Sequence, residues 1–384
     1  MRSRIVPLQW LWMCLMWLSG GVAVAQINHP KAAIEIHWDQ TTQVLVQENA
    51  GYGRMIRLHN GNILCGYELV GNSWVRLSKD NGRTWEQAIL ANQLPYANSA
   101  NTELLQLKNG RVLLFFNQRP HDGTHPFAIG YCFSDDNGTT WQKPPKLIYE
   151  ASPESKNGCW EPAAIQLASG EVQLFFANEF PYQKNDDQEI TLMRSWDNGA
   201  SWGQPETVSY RAGHRDGMPV PLILLGNKGI VLAIEDNGLA PGNQLQPAII
   251  HTTQTFNWHQ PVVQGNSPQR WGALATPLAG NIYAGAPYIR QLPSGETLLS
   301  CHSTEGGRAK PQMTVYIGNA EARNFQHKSI PFKLPNDVGG WWNALFIKDA
   351  NTVTAISSTQ INGVSGLWAI DGHVMRGPVT KPER

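Results

Sequence analysis

The sequence predicts an all-β protein of short antiparallel strands. Three observations predict it: the composition, a turn sequence present in three copies, and six tight hairpins spread along the chain. The 384 residues include 36 Gly, 25 Pro and 15 Trp, with only 16% charged residues. That is too apolar and aromatic for a disordered chain. It is too rich in Gly and Pro for a helical bundle or coiled coil. The 30 basic residues balance 30 acidic ones, which excludes a strongly basic nucleic-acid binder or a polybasic membrane binder.

At the N-terminus, Arg2 and Arg4 precede an apolar stretch that ends near Leu18, and Ala23-Val24-Ala25 supplies a small-residue cleavage site. Residues 1–25 are therefore read as a secretory signal. The remainder, residues 26–384, is expected to be one secreted or periplasmic domain, monomeric and without a membrane span. Cys65, Cys132, Cys159 and Cys301 could form disulfides in an exported protein, but the apolar runs around Cys65 and Cys132 favour buried free thiols; no CxxC pair suggests a metal or redox site.

The first element after the signal is an expected strand at residues 33–37. Six hairpins follow, each with two apolar or alternating runs around a tight turn. The turns are Asn60-Gly61, Asn109-Gly110, Ser169-Gly170, 226–229, Ser294-Gly295 and 349–351. After each of the first three hairpins the pattern S-x-D-x-G-x-[TS]-W appears, at 78–85, 134–141 and 195–202. Its chemistry is that of a turn: Asp accepts backbone N–H groups, Asn-Gly takes positive φ, and Trp packs beneath. Residues 252–258 and 318–325 are degenerate versions. The chain closes with an expected strand at 366–370.

The three turns resemble the Asp boxes of the sialidase-like β-propellers. The resemblance implies a six-bladed β-propeller of four-stranded antiparallel blades. It also implies a structural role for Asp80, Asp136 and Asp197, away from the active face. Pairing residues 33–37 with residues 366–370 in the last blade would close the ring and remove its open edges. In such a ring the start of the first strand and the end of the second strand of each blade meet near the axis. That brings together Arg54 and Glu68, Glu103 and Arg119, Glu161 and Glu179, Asp216 and Glu235, His302 and Glu305, and Trp342 with Asn343. Glycosidic cleavage needs two carboxylates across one bond, and this set can supply them.

A narrower resemblance rests on six segments: Trp160-Glu161-Pro162, residues 187–195, Arg215-Asp216-Gly217-Met218-Pro219, Ile234-Glu235-Asp236, Ala286-Pro287-Tyr288 and Trp342-Asn343-Ala344-Leu345. In order and spacing they resemble glycoside hydrolase family 93, the exo-α-1,5-L-arabinanases. The resemblance implies a retaining exo-glycosidase acting on the ends of an arabinan chain, with no cofactor. Its catalytic glutamates match Glu161 and Glu235. Glu161 is expected as general acid/base and Glu235 as nucleophile, although the sequence leaves the exchange of these roles open. Arg54, Glu103, Glu179, Asp216, Tyr288 and Trp342 are candidate substrate contacts. Arg54 could instead hold a carboxylate ionised, and Asp216 could tune a neighbouring Glu. His121, Asp122 and His125 are read as a solvated loop with no metal.

Three other readings stand beside this one, the first being a related propeller glycosidase with another sugar specificity. A sialidase would need an arginine triad, for which Arg54, Arg215 and Arg290 are the candidates. A carbohydrate-binding propeller would need no carboxylate pair.

Overall fold

The computed structural model describes residues 33–377, of which residues 34–376 form one compact unit. The expected signal at residues 1–25 lies outside the described residues. Six antiparallel sheets follow one another along the chain. Blade one holds Gly51–Arg57, Ile63–Leu69, Asn72–Ser78 and Ile89–Asn92. Blade two holds Ala97–Gln106, Val112–Pro120, Ala128–Ser134 and Lys146–Glu150. Blade three holds Cys159–Gln166, Val172–Asn178, Glu189–Ser195 and Glu206–Ser209. Blade four holds Asp216–Ile223, Ile230–Asp236, Gln246–Thr252 and Arg270–Gly272. Blade five holds Ala284–Gln291, Thr297–Ser303, Gln312–Gly318 and Gln326–Ser329.

Blade six mixes the two ends of the described chain. Trp341–Ile347, Thr352–Ile361 and Val364–Gly377 supply its inner strands, and Val364–Gly377 pairs with both Ala33–Trp38 and Val44–Glu48. Closure by the two ends is as expected; the second outer strand, Val44–Glu48, had no turn signal of its own to announce it. The first strand of every blade touches that of the next, and blade six touches blade one. The ring is closed.

The apolar strands pack blade against blade. Leu64 and Val75 of blade one join Leu114 and Phe116 of blade two in one cluster. Leu113 and Phe115 on the other face of blade two join Leu174 and Phe176 of blade three. Both faces of a middle strand are thus covered, which is why these strands read as continuous apolar runs rather than alternating ones. All four cysteines of the described chain are buried and unpaired, as expected.

The three turns are built as their residues require. In the second, Thr140 N donates to Asp136 Oδ1 at 2.8 Å and Gly138 N donates to Ser134 Oγ at 2.8 Å. Gly138 takes φ +86°, and a Cβ there would stand 3.0 Å from Leu64 of the preceding blade. Hydrogen bonds from Thr84 and Ser201 hold Asp80 and Asp197 down at about 2.

One irregularity recurs in all six first strands and positions everything at the axis. Each strand carries a bulge, between Gly51 and Arg54, Ala100 and Glu103, Trp160 and Ala163, Gly217 and Val220, Gly285 and Tyr288, and Trp341 and Ala344. Two residues there oppose one on the partner strand. The first of the two is left-handed in every blade: Tyr52, Asn101, Glu161, Met218, Ala286 and Trp342, at φ between 45° and 58°. None is glycine, so each costs about 1–2 kcal/mol of local strain. Tyr52, Met218 and Ala286 pack together although they come from blades one, four and five, which places the bulge ring around the axis.

Candidate active site

The bulges turn main-chain N–H groups toward the axis, where they need acceptors. Five of the six find one on the preceding blade. Tyr52 N donates to Ser358 Oγ at 3.1 Å, Asn101 N to Glu68 Oε1, Met218 N to Glu161 Oε2 at 3.1 Å, Ala286 N to Glu235 Oε2 at 2.8 Å, and Trp342 N to His302 Nδ1 at 3.2 Å. Ser358, Glu68, Glu235 and His302 occupy one register position, opposite the residue before the bulge. Blade three breaks the pattern. Its residue at that position is Ala177, too short to reach, and Glu161 on the bulge itself takes the amide of Met218.

This break brings the two glutamates together. Glu161 binds the amide of Met218, while Glu235 lies opposite Gly217, the residue before it. A Cβ on Gly217 would stand 2.9 Å from Glu235 Oε1 and 3.0 Å from Gln188 Oε1; a Cβ on Gly285 would stand 2.8 Å from Glu235 Oε2. The carboxylate of Glu235 therefore sits in a notch between two glycines. Both glutamates line a pocket of about 310 Å³ together with Ser155, Lys156, Trp160, Glu179, Gln188 and Arg215. A larger cavity of about 460 Å³ lies beside Trp341, but it holds no such glutamate pair.

The electrostatics of the pair are unequal. Removal from bulk water raises both carboxyls. Glu161 is opposed by the positive Arg119, the Met218 amide and Arg215. Glu235 is pushed up to about 8, by burial first and then by the charge of Glu161; the Ala286 amide and Arg215 oppose this less. The two carboxyls titrate as a coupled pair, and the charge of Glu161 adds to the push that burial gives Glu235. Arg119 is fixed by Asn117 Oδ1 at 2.8 Å and by Asn101, and its guanidinium lies 5.2 Å over the Trp160 ring. Arg215 pairs with Glu179, which also accepts from Gln188 Nε2 at 3.1 Å.

The other expected contacts are distributed differently. Trp342 stands on the bulge ring with its side chain exposed, and its ring centroid lies 6.4 Å from that of the exposed Trp341. Arg54, Glu103 and Tyr288 are buried together. Arg54 lies 4.0 Å over the Tyr52 ring and 4.8 Å over that of Tyr288, with Glu103 Oε2 3.5 Å from its Nε. Arg290 binds the Tyr288 hydroxyl from the other side. Asp216 is fully buried on Arg270 and Ser209 and is absent from the pocket lining. Asp122 and His125 bond each other at 2.5 Å, and Tyr96 stacks on His125. Among the described residues no cluster of three or more His, Cys, Asp or Glu is arranged to hold a metal.

Sequence reasoning placed Arg119 near the axis without giving it a role, and did not single out Gln188, Lys156 or Tyr283 as site residues. One signal was present: Pro162, Pro219 and Pro287 each follow a left-handed residue, and proline inside a strand marks a bulge.

No protein-family model and no curated protein matches the chain. Solved structures do. A family 93 α-L-arabinofuranosidase of Fusarium graminearum, in complex with arabinobiose, superposes with TM-score 0.66 at 18% identity, over 89% of this chain and 98% of that one. An α-L-arabinanase of Penicillium chrysogenum, also with arabinobiose, gives 0.65 at 18%, over 87% and 98%. A protein of unknown function from Dyadobacter fermentans gives 0.65 at 17%, over 90% and 99%. This chain shares their fold: it is a six-bladed β-propeller.

Proposed function

We propose that the protein is a glycoside hydrolase, a retaining exo-enzyme that removes short units from the ends of α-1,5-linked L-arabinan outside the cytoplasm. The observation that carries the reading is the glutamate pair on the Gly217-Met218 peptide, both members lining one open pocket. Cleavage with retention needs one protonated carboxyl and one charged one. The electrostatics favour Glu161 as nucleophile and Glu235 as acid/base, the exchange of the roles first expected. Glu161 attacks the anomeric carbon while Glu235 protonates the departing sugar oxygen. Glu235 then takes a proton from the water that releases the covalent sugar. Arg119 and Arg215 oppose the rise that burial imposes on Glu161 and so favour its charged form. The structural neighbours named for arabinose-releasing activity support the sugar class, and a pocket suits a chain end.

The sialidase alternative finds less support. Arg54 and Arg290 are engaged with Glu103 and Tyr288, so they offer no open clamp to a substrate carboxylate. A purely carbohydrate-binding role leaves the glutamate pair in the pocket unexplained.

The test is to incubate the purified protein with linear α-1,5-arabinan and, separately, with a sialyl-oligosaccharide, resolving products by chromatography and NMR. One short arabino-oligosaccharide, accumulating from the start and born in the α configuration, is the expected result. Free sialic acid, or β product, overturns the reading. The pH profile of kcat/KM should be a bell. Activity falls at low pH as Glu161 is protonated, and at high pH as Glu235 loses its raised proton.

A further inference from the structure

Tyr283 stands at the entrance to blade five, two residues before Gly285. Its main chain is tied to Thr304: Tyr283 N donates to Thr304 Oγ1 at 3.1 Å, and Thr304 N donates to Tyr283 O at 2.9 Å. Its hydroxyl lies 2.7 Å from His302 Nε2, and the two rings stack at 5.3 Å. His302 is 2% exposed.

The tautomer of His302 follows from its other nitrogen. The main-chain N–H of Trp342 donates to Nδ1. An amide N–H can only donate, so Nδ1 carries no proton and the ring is neutral, with its proton on Nε2. Burial, which drives this imidazole down to about 3, keeps it neutral. Nε2–H therefore donates to the Tyr283 oxygen, and the phenol must send its own proton elsewhere. The Cβ position of Gly285 lies 2.5 Å from the Tyr283 hydroxyl and 2.8 Å from Glu235 Oε2. Both oxygens face one notch that a side chain would have filled.

We infer that Tyr283 is a positioning residue for Glu235, an obligate hydrogen-bond donor to Oε2 through one bridging water across the notch that they share. The donor direction is set by the chain Trp342 N–H to His302 to Tyr283. With the Ala286 amide, this occupies Oε2 with two donors. The proton of Glu235 is left on Oε1, the oxygen that faces Gly217 and the side of Glu161. When Glu161 attacks, that Oε1 proton passes to the leaving oxygen, and Tyr283 and Ala286 hold the resulting carboxylate. This inference rests on the glycosidase reading for its catalytic consequence, but not for the contact itself.

The charged and titratable groups facing Glu235 are Glu161, Glu179, Arg215 and Lys156 in the pocket, with Arg119 behind Glu161. Cys301 flanks Tyr283. Asp236, the next residue, is held by Arg270 at 2.7 Å and Arg211 at 3.4 Å.

The decisive variant is Tyr283→Phe, which keeps the ring and removes the donor. Losing a donor to the charged carboxylate makes Glu235 hold its proton to higher pH. The alkaline limb of the kcat/KM profile should move upward, and kcat on an oligosaccharide should fall about 10- to 100-fold with KM little changed. A uniform loss with an unmoved alkaline limb overturns the inference. A second measurement needs no turnover: carboxyl ¹³C NMR titration of Glu235, assigned by its loss in Glu235→Gln. A higher Glu235 midpoint in Tyr283→Phe than in the parent supports the contact even if no arabinan is cleaved; an identical midpoint sinks it even if arabinan is.

Discussion

Two groups of side chains near the propeller axis are built from similar residues and differ in one respect. In one, Arg54, Glu103, Tyr288 and Arg290 are packed together; in the other, Glu161, Glu179, Arg215 and Glu235 line an open pocket. Both groups pair arginine with glutamate. The difference lies in what surrounds the pair. Tyr52 and Tyr288 cover both faces of Arg54, so that group is a closed plug. Around Glu235 the corresponding space belongs to Gly217 and Gly285, and Ala177 leaves a gap that Glu161 crosses. An ion pair roofed by aromatic rings stabilises; a glutamate pair among small residues is left with room for a substrate.

The sharpest way to break this comparison is to neutralise the open group. Glu161→Gln should lower kcat at least about 10³-fold, and Glu235→Gln about 10²- to 10⁴-fold, by steady-state hydrolysis of arabino-oligosaccharides. Neither should unfold the protein. Glu235→Gln should in fact raise the melting temperature. A carboxyl raised by folding contributes stability that is full below its unfolded value near 4.5 and is lost as pH rises through its folded value of about 8. The gap between variant and parent should therefore widen with pH across that window; a gap that narrows would contradict the assignment.

The closed group should answer in the opposite currency. Glu103→Ala leaves Arg54 buried without its carboxylate and should cost about 3–5 kcal/mol, read by denaturant unfolding. The kcat of the folded fraction should stay near that of the parent.

Gly217→Ala tests the notch directly. The new Cβ would press on Glu235 Oε1 and Gln188 Oε1, both ends of movable side chains. The carboxylate should shift rather than the backbone, costing up to roughly 10²-fold in kcat with little change in melting temperature. A large loss of stability would show that the glycine serves the fold and not the pocket. The smallest effect belongs far from the axis. Asp136→Ala removes the acceptor of the second turn and should cost about 1.5–3 kcal/mol of stability, with no change in KM.

Several features of this fold were legible residue by residue. The six hairpin turns and the three S-x-D-x-G-x-[TS]-W turns are local devices, written in consecutive residues, and each appears where its residues demand. The glutamate pair was reachable through the resemblance of its flanking segments. What escaped was the bulge itself, because a bulge breaks the alternation that marks a strand; Glu161 and Trp342, which stand on it, were reached through their flanking segments. Tyr283 and Gln188 escaped for a related reason: nothing in their neighbouring residues says that they face the pocket. Asp216, beside Gly217 in sequence, points to Arg270 instead of the pocket, since adjacent strand residues face opposite sides.

The sequence by itself determined the ring: blade count, hairpins, the pairing of its two ends and the covered thiols all follow from short-range patterns of apolar, turn and small residues. Only the tertiary structure decided how far each axial carboxyl is raised, which arginines are free to act on the pair and which are locked away. Those properties depend on burial and on charges brought from blades more than fifty residues apart, such as Glu161 and Ala286 around Glu235. The field at a carboxyl is a sum over space, and the chain order does not encode that sum until the ring has closed.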